Sequence, residues 1–272
     1  MSKVILITGA NAGIGLELAK LLAKQGHTIY AAARSTQGLE TMYACLRFTA
    51  RFTSHTFQRI SDALGTSNLK SIKLDVTDTK SILAAKAVLE KDVGHIDVLV
   101  NNAGETHTMY ASTAISNWKP GSGVMNKPQN ATNVDVAVVR EACEVNLFGL
   151  IQTTTTLLPL VLKSSKPNIL TISTDMASNT FQARPDSFLH VVAYNTSKAA
   201  ANSYTIALAN ELKGKAIVNA LTPGFTTTKL NGFATGPGAK TPEQAAELIS
   251  KWVLEEEKSG LFIGPDGNEF PW

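Results

Sequence analysis

The sequence predicts an α/β fold: one doubly wound domain on a mainly parallel seven-stranded sheet, with helices on both faces. Three observations predict it. Short apolar runs rich in β-branched residues recur along the 272 residues, as expected of strands buried on both sides. Longer stretches of helical periodicity separate them, and such alternation requires right-handed crossovers between parallel neighbours. A glycine-rich turn joins the first run to the first helical stretch. The length alone lies between one domain and two. Motifs in both halves belong to one sheet, so a single domain over residues 1–272 is expected, with insertions at 43–59 and 118–133.

The elements follow in order. Residues 4–7, Val-Ile-Leu-Ile closed by Thr8-Gly9, read as the first strand. A helix over 15–25 puts Leu18, Leu21 and Leu22 on one face and ends where Gly26 offers a left-handed cap. Strands are expected at 28–33, 71–74, 96–100, 168–173, 216–221 and, briefly, 261–263. Helical patterns occupy 79–93, 134–162, 193–212 and 241–257. Asp78 is better placed than Asp75 to cap the first of these, and Thr241-Pro242-Glu243 begins the last with a cap, a first-turn proline and an acid at the positive dipole end. Two stretches break the rhythm. Residues 43–59 hold three Phe, three Arg and no acid, and interrupt a helical pattern. They are either a surface insertion or an in-frame retained intron. Residues 118–133, rich in Gly, Pro, Asn and Lys, read as a loop.

Composition excludes several classes of function. With 44% hydrophobic and 17% charged residues the chain can bury a core, which excludes wholesale disorder. Cys45 and Cys143 cannot build a disulfide scaffold, and neither cysteines nor histidines show metal-ligand spacing, so no metal is expected. The net charge of +3 comes from scattered Lys and Arg, so a nucleic-acid partner is not expected. No apolar stretch approaches the roughly 20 residues that span a bilayer, and the N-terminus does not read as a signal peptide. A cytoplasmic protein with no membrane partner is expected.

Residues 8–15 read Thr-Gly-Ala-Asn-Ala-Gly-Ile-Gly between the first strand and first helix. A missing Cβ there lets backbone N–H groups approach a pyrophosphate, and the helix N-terminus carries about half a positive charge. A tight turn also needs glycine, but this position and this chemistry together favour nucleotide binding. The spacing is G-x-x-x-G-x-G rather than the general dinucleotide fingerprint. Gly9, Gly13 and Gly15 so arranged resemble the cofactor motif of the short-chain dehydrogenase/reductase family. Asn101-Asn102-Ala103-Gly104, Asn146, Tyr194-Asn-Thr-Ser-Lys198 and Pro223-Gly224 follow in that family's order. The resemblance covers essentially the whole chain apart from the two odd stretches. It implies a Rossmann-type domain whose turn, with Asn11 and Ile14, holds a nicotinamide dinucleotide. Asp75 would meet the adenine amine, and Asn102 and Ala103 would line the adenosine ribose. The Thr226 backbone would meet the carboxamide, and Thr226 or Thr228 a phosphate.

The end of the second strand selects the nucleotide. An NAD enzyme needs a carboxylate there for the ribose hydroxyls. This chain has Ala31-Ala32-Ala33-Arg34, and a guanidinium can pair with a 2′-phosphate, so NADP(H) is preferred over NAD(H). The family's frequent second basic residue is replaced by Ala12, which leaves one charge for the task.

Tyr194 and Lys198 are one helical turn apart and share a face. A neighbouring ammonium favours the phenolate, so the tyrosine pKa is expected to fall. By resemblance Tyr194 exchanges a proton with the substrate oxygen, Lys198 also holds the nicotinamide ribose, and Asn146 orders a relay water. The family's substrate-binding serine is the point of departure. Ser173-Thr174-Asp175 follows the fifth strand, and that register puts Thr174 at the catalytic position, with Ser173 the alternative through a one-residue shift. Threonine keeps the donor while its methyl takes space beside the substrate. The approach to Tyr194 is longer than usual. Residues 181–190, 106–110 and 225–233 are expected to form a largely apolar pocket. Two functions are therefore weighed: an oxidoreductase acting on a small to medium apolar carbonyl or alcohol, and a nucleotide-binding regulator that has lost turnover. The resemblance also implies a homodimer or homotetramer built on the helices carrying Asn146 and Tyr194.

Overall fold

The computed structural model describes residues 1–34, 67–105, 129–187, 191–255 and 257–272. The expected insertion at 43–59 and most of that at 118–133 lie outside the described residues, as do 106–110 and 188–190 of the expected pocket. Seven parallel strands are β1 (Val4–Thr8), β2 (Thr28–Ala33), β3 (Leu69–Lys73), β4 (Val98–Asn101), β5 (Asn168–Ile172), β6 (Ile217–Leu221) and β7 (Phe262–Ile263). Their order is β3-β2-β1-β4-β5-β6-β7, so the winding reverses between β1 and β4. Ligands of such sheets bind beyond the carboxyl ends of the strands at this reversal.

The described helices are α1 (Gly13–Lys24), α2 (Thr79–Asp92), α3 (Val136–Cys143), α4 (Leu150–Val161), the single turn α5 (Asn179–Gln182), α6 (Val192–Glu211) and α7 (Pro242–Val253). The period of two in the strands sorts the core onto the two faces. Ile5, Ile7, Ile29, Ala31, Val98 and Val100 pack with Leu18 and Leu22 of α1 and Ile249 and Val253 of α7. The intervening Leu6, Tyr30, Ala32 and Leu99 pack with Ile82 and Leu89 of α2, Leu157 and Leu160 of α4, and Leu208 of α6.

Element bounds fall within a few residues of expectation, and the caps agree in detail. Gly26 is left-handed with φ 90°, the Asp78 carboxylate accepts from Lys80 N–H at 2.9 Å, and Thr241 and Gln244 close a reciprocal box at the start of α7. One long expected helix is corrected. Residues 134–162 form α3 and α4 joined by a π-helical turn, Glu144–Gly149. The widened turn places Asn146, and a Cβ at Gly149 would come 2.8 Å from Val76 Cγ2, so close packing on the β3 side fixes it. The C-terminal tail was also not anticipated. It runs back antiparallel to β7, with Phe270 N–H donating to Phe262 O at 2.7 Å, and Trp272 stacks on Phe262 at 5.2 Å. Among the described residues no helix is long and apolar enough to cross a membrane.

Candidate active site

A cleft of about 380 Å³ opens at the reversal point, bordered by the glycine turn, the ends of β2 and β4, and the loop after β6. Packing dictates its glycines. Gly9 is left-handed (φ 63°), and a Cβ there would lie 2.8 Å from the Ala103 Cα. A Cβ on Gly15 would lie 2.4 Å from Asn102 Nδ2 and 2.7 Å from the Gly9 carbonyl. The turn is braced from β4. Asn102 Nδ2 donates to the carbonyls of Thr8 and Gly9 at 2.9 and 3.1 Å, while Thr8 Oγ1 accepts from the N–H groups of Asn102 and Ala103, both at 3.0 Å. Thr8 was not singled out from the sequence; its place one residue before the motif was the available signal. At Ala12 no side chain caps α1, and its first turn holds no acid. These N–H groups therefore face the cleft, with the field an anion requires. An uncapped helix start, backbone without side chains and a cleft fit a dinucleotide's phosphates.

Asn11, Gly13, Ile14, Arg34, Asp75, Asn102, Ala103 and Thr228 all border this cleft. Arg34 is exposed at the end of β2. Asp75 Oδ1 accepts from both the N–H and the hydroxyl of Thr77, which fixes the carboxylate at the cleft edge. Thr226 does not border the cleft: it is buried, and its hydroxyl donates to Gly224 O at 3.1 Å. Thr228 does, because Asn231 bonds the N–H of Thr228 and the carbonyl of Thr226 and so shapes the loop. Lys229 is a cation at the cleft that the sequence did not reveal, since its approach to the turn is a property of that loop.

Lys198 and Asn146 lie next to this cleft: a Cβ on its lining residue Gly104 would stand 3.4 Å from Lys198 Nζ and 3.5 Å from Asn146 Oδ1. Residue Gln129, at the end of the second odd stretch, caps α6, the helix that carries Tyr194 and Lys198. Its carbonyl accepts from Val192 N–H at 3.1 Å and its Oε1 from Ala193 N–H at 3.3 Å, where the N-cap residue Val191 offers no side-chain oxygen. Sequence reasoning missed it because the cap comes from a distant segment. Ser173 is turned away, donating to Asn202 Oδ1 at 2.6 Å, whereas the Thr174 hydroxyl acts on the Tyr194 phenol and favours its ionised form. Thr174 Oγ1 also donates to Asp175 Oδ1 at 3.0 Å. Asn146 is clamped, its Oδ1 accepting from Glu105 N–H and its Nδ2 donating to Glu105 O and Ser197 Oγ, all at 2.9–3.0 Å. Lys198 Nζ donates to Ile172 O at 3.0 Å. Lys198, Asn146, Asn101 and Thr171 border a further cavity of about 10 Å³, the size of about one water.

The electrostatics correct one expectation. The Tyr194 pKa is raised, not lowered: burial disfavours the phenolate, the Asp175 carboxylate adds to this, and the bond with Thr174 opposes it. The Lys198 ammonium lies on the Ile172 carbonyl, and burial lowers its own pKa to about 8. Among the described residues no group of three His, Cys, Asp or Glu is arranged to hold a metal.

The family model described as short chain dehydrogenase matches residues 3–235. A short chain dehydrogenase of Penicillium aethiopicum is 30% identical, with 100% of each chain covered. The (+)-neomenthol dehydrogenase of Arabidopsis thaliana is 27% identical over 95% of this chain and 94% of its own. Among solved structures, NADPH-bound carbonyl reductase from chicken fatty liver superposes with a TM-score of 0.77 at 22% identity, covering 100% of this chain and 99% of its own.

Proposed function

Because the chain belongs to the short-chain dehydrogenase/reductase family, we propose that it is an NADP(H)-dependent oxidoreductase in which Tyr194 exchanges a proton with the oxygen of a small to medium apolar carbonyl or alcohol. One observation carries the reading: Gly104, on the cleft floored by a glycine turn and an uncapped helix start, lies against Lys198 Nζ and Asn146 Oδ1, one helical turn from the buried Tyr194 phenol. A bound nicotinamide dinucleotide supplies the hydride. The chain's own residues do the rest. Gly9, Gly13 and Gly15 admit the phosphates to backbone N–H groups, and Arg34 takes the 2′-phosphate where β2 ends without a carboxylate. Thr174 shares the substrate oxygen with Tyr194, and its methyl narrows the space around it. In reduction the phenol O–H gives its proton to that oxygen. Lys198 and Asn146 border the water-sized cavity through which a proton returns.

Met176 and Val191 pack on Tyr194 and make the substrate side apolar. Exposed Val136 and Phe148, before and within the π-helical turn, and Ile206 on α6 favour assembly into a homodimer or homotetramer through these helices. The test is NADPH oxidation over a panel of aldehydes and ketones, with nucleotide binding followed separately. Turnover that falls about 10²–10⁴-fold in Tyr194→Phe while nucleotide still binds is the expected result. Binding without turnover that Tyr194→Phe leaves unchanged would establish a nucleotide-binding regulator instead.

A further inference from the structure

Among the described residues, two cations border the cleft, Arg34 and Lys229, against the carboxylates of Asp75 and Glu105. They approach it from opposite sides. Arg34 follows β2, which pairs with one side of β1, while Lys229 lies in the loop after β6, which the sheet order places on the other side. The glycine turn lies between them. A Cβ on Gly13, the first residue of α1, would stand 3.4 Å from Thr228 Cγ2, so the residue immediately before Lys229 is packed against the start of that helix. We infer that Lys229 is a second nucleotide-binding cation, one that neutralises the pyrophosphate opposite the backbone N–H groups of the glycine turn and leaves the 2′-phosphate to Arg34.

The inference rests on the dinucleotide reading of this cleft and adds a residue to it. Backbone N–H groups at a helix start carry only partial charge, about half a unit in all. A pyrophosphate carries full negative charges, so the turn alone leaves it under-compensated. Lysine suits the task, because its ammonium is a compact charge with three donors on a flexible stem. The loop is built to hold it there. Asn231 Oδ1 accepts from Thr228 N–H at 3.0 Å and its Nδ2 donates to Thr226 O at 2.9 Å, while Thr228 O accepts from Phe233 N–H at 2.8 Å. These bonds close a single 3-10 turn, Lys229–Asn231. Its exit is strained: Gly232 and Phe233 are both left-handed, with φ of 67° and 60°, a conformation that phenylalanine rarely adopts. Phe233 is 65% exposed, so burial of its ring does not offset that backbone. The strain is the cost of the turn's shape, and that shape sets a cation beside the glycine turn.

Binding of NADPH, NADH and ADP-ribose to the unaltered protein, Lys229→Met and Lys229→Arg is measured by titration calorimetry from low to high salt. NADH lacks only the 2′-phosphate, and ADP-ribose keeps the pyrophosphate without the 2′-phosphate or the nicotinamide. The expected result is that K229M weakens all three by the same factor, about five- to tenfold at low salt. Because Lys229 is exposed, the gap narrows as salt rises, and K229R keeps each affinity within about twofold of the original. Affinities of K229M within about twofold of the original for all three ligands overturn the inference. A loss confined to NADPH overturns it as well, by assigning the charge to the 2′-phosphate. So does a loss that K229R shares and salt leaves unchanged, which marks an altered loop shape. In each of these cases the unaltered protein still binds the three ligands. If it binds none of them, the dinucleotide reading itself fails, and the inference with it.

Discussion

The nucleotide side and the reacting side of the cleft solve opposite problems. At β1 and α1 the surface offered is backbone, and its bracing groups, Asn102 and Thr8, are engaged with the turn itself. At β5 and α6 the surface offered is side chain: a phenol, a hydroxyl and an amine held by neighbours that a substrate would replace. The first side is held by four bracing hydrogen bonds and has no room for a Cβ at Gly9 or Gly15. The second is electrostatically strained, since burial works against the charged forms of both Tyr194 and Lys198. Recognition of phosphate tolerates a fixed shape; proton transfer requires groups whose charge can change.

The largest test breaks the rigid side. Gly15→Ala drives a methyl against the Gly9 carbonyl, so the turn must shift, and nucleotide affinity by fluorescence titration should fall at least about 10²-fold. Affinity within a few-fold of the original would show that the turn is not the cradle. The next test sharpens the strained side. Lys198→Met should abolish turnover yet stabilise the empty protein by on the order of 1–3 kcal/mol at pH 7 in denaturant titrations. The sign follows from a folded-state pKa of about 8 below the unfolded value: between the two, the unfolded chain binds more protons, so stability of the unaltered protein rises with pH. The advantage of the variant should therefore shrink from pH 8 upward. A constant advantage would mean that the amine is not buried as a cation. A smaller effect is expected at the rim. Arg34→Ala should weaken NADPH about tenfold and leave NADH unchanged, because one exposed guanidinium distinguishes them. Equal losses for both nucleotides would remove Arg34 from the choice. Smallest is Gln129→Ala, which should cost about 1 kcal/mol in thermal or chemical unfolding and lower turnover a few-fold without changing nucleotide affinity.

The same two sides differ in how far sequence alone reveals them. Strands such as 4–7 and 28–33 are written in continuous apolar runs, and the glycine turn in spacing, because burial and positive φ restrict residue choice locally. Thr174 in place of serine was likewise legible from register. The π-helical turn at Asn146 was not, since it depends on Gly149 meeting Val76 across the chain. The hydrogen bond of Lys198 with Ile172 was equally hidden, as i to i+4 spacing fixes a shared face and not where an ammonium points. Gln129 and Lys229 reach the site from segments whose path is set by tertiary contacts. Thr226 carries the mirror lesson: a motif position whose side chain turns inward.

The returning tail has a consequence for the sheet as a whole. By donating Phe270 N–H to Phe262 and stacking Trp272 on the same ring, it closes the outer rim of β7 against strand addition. A neighbouring molecule seeking to extend the sheet from that side would first have to peel away two aromatic rings, and the tail would take with it the bond from Thr180 N–H that steadies α5 against the turn at Asp175–Ala177. Protection from edge-to-edge aggregation and the placement of α5 are thus secured by one short segment, and loss of either should register in the other.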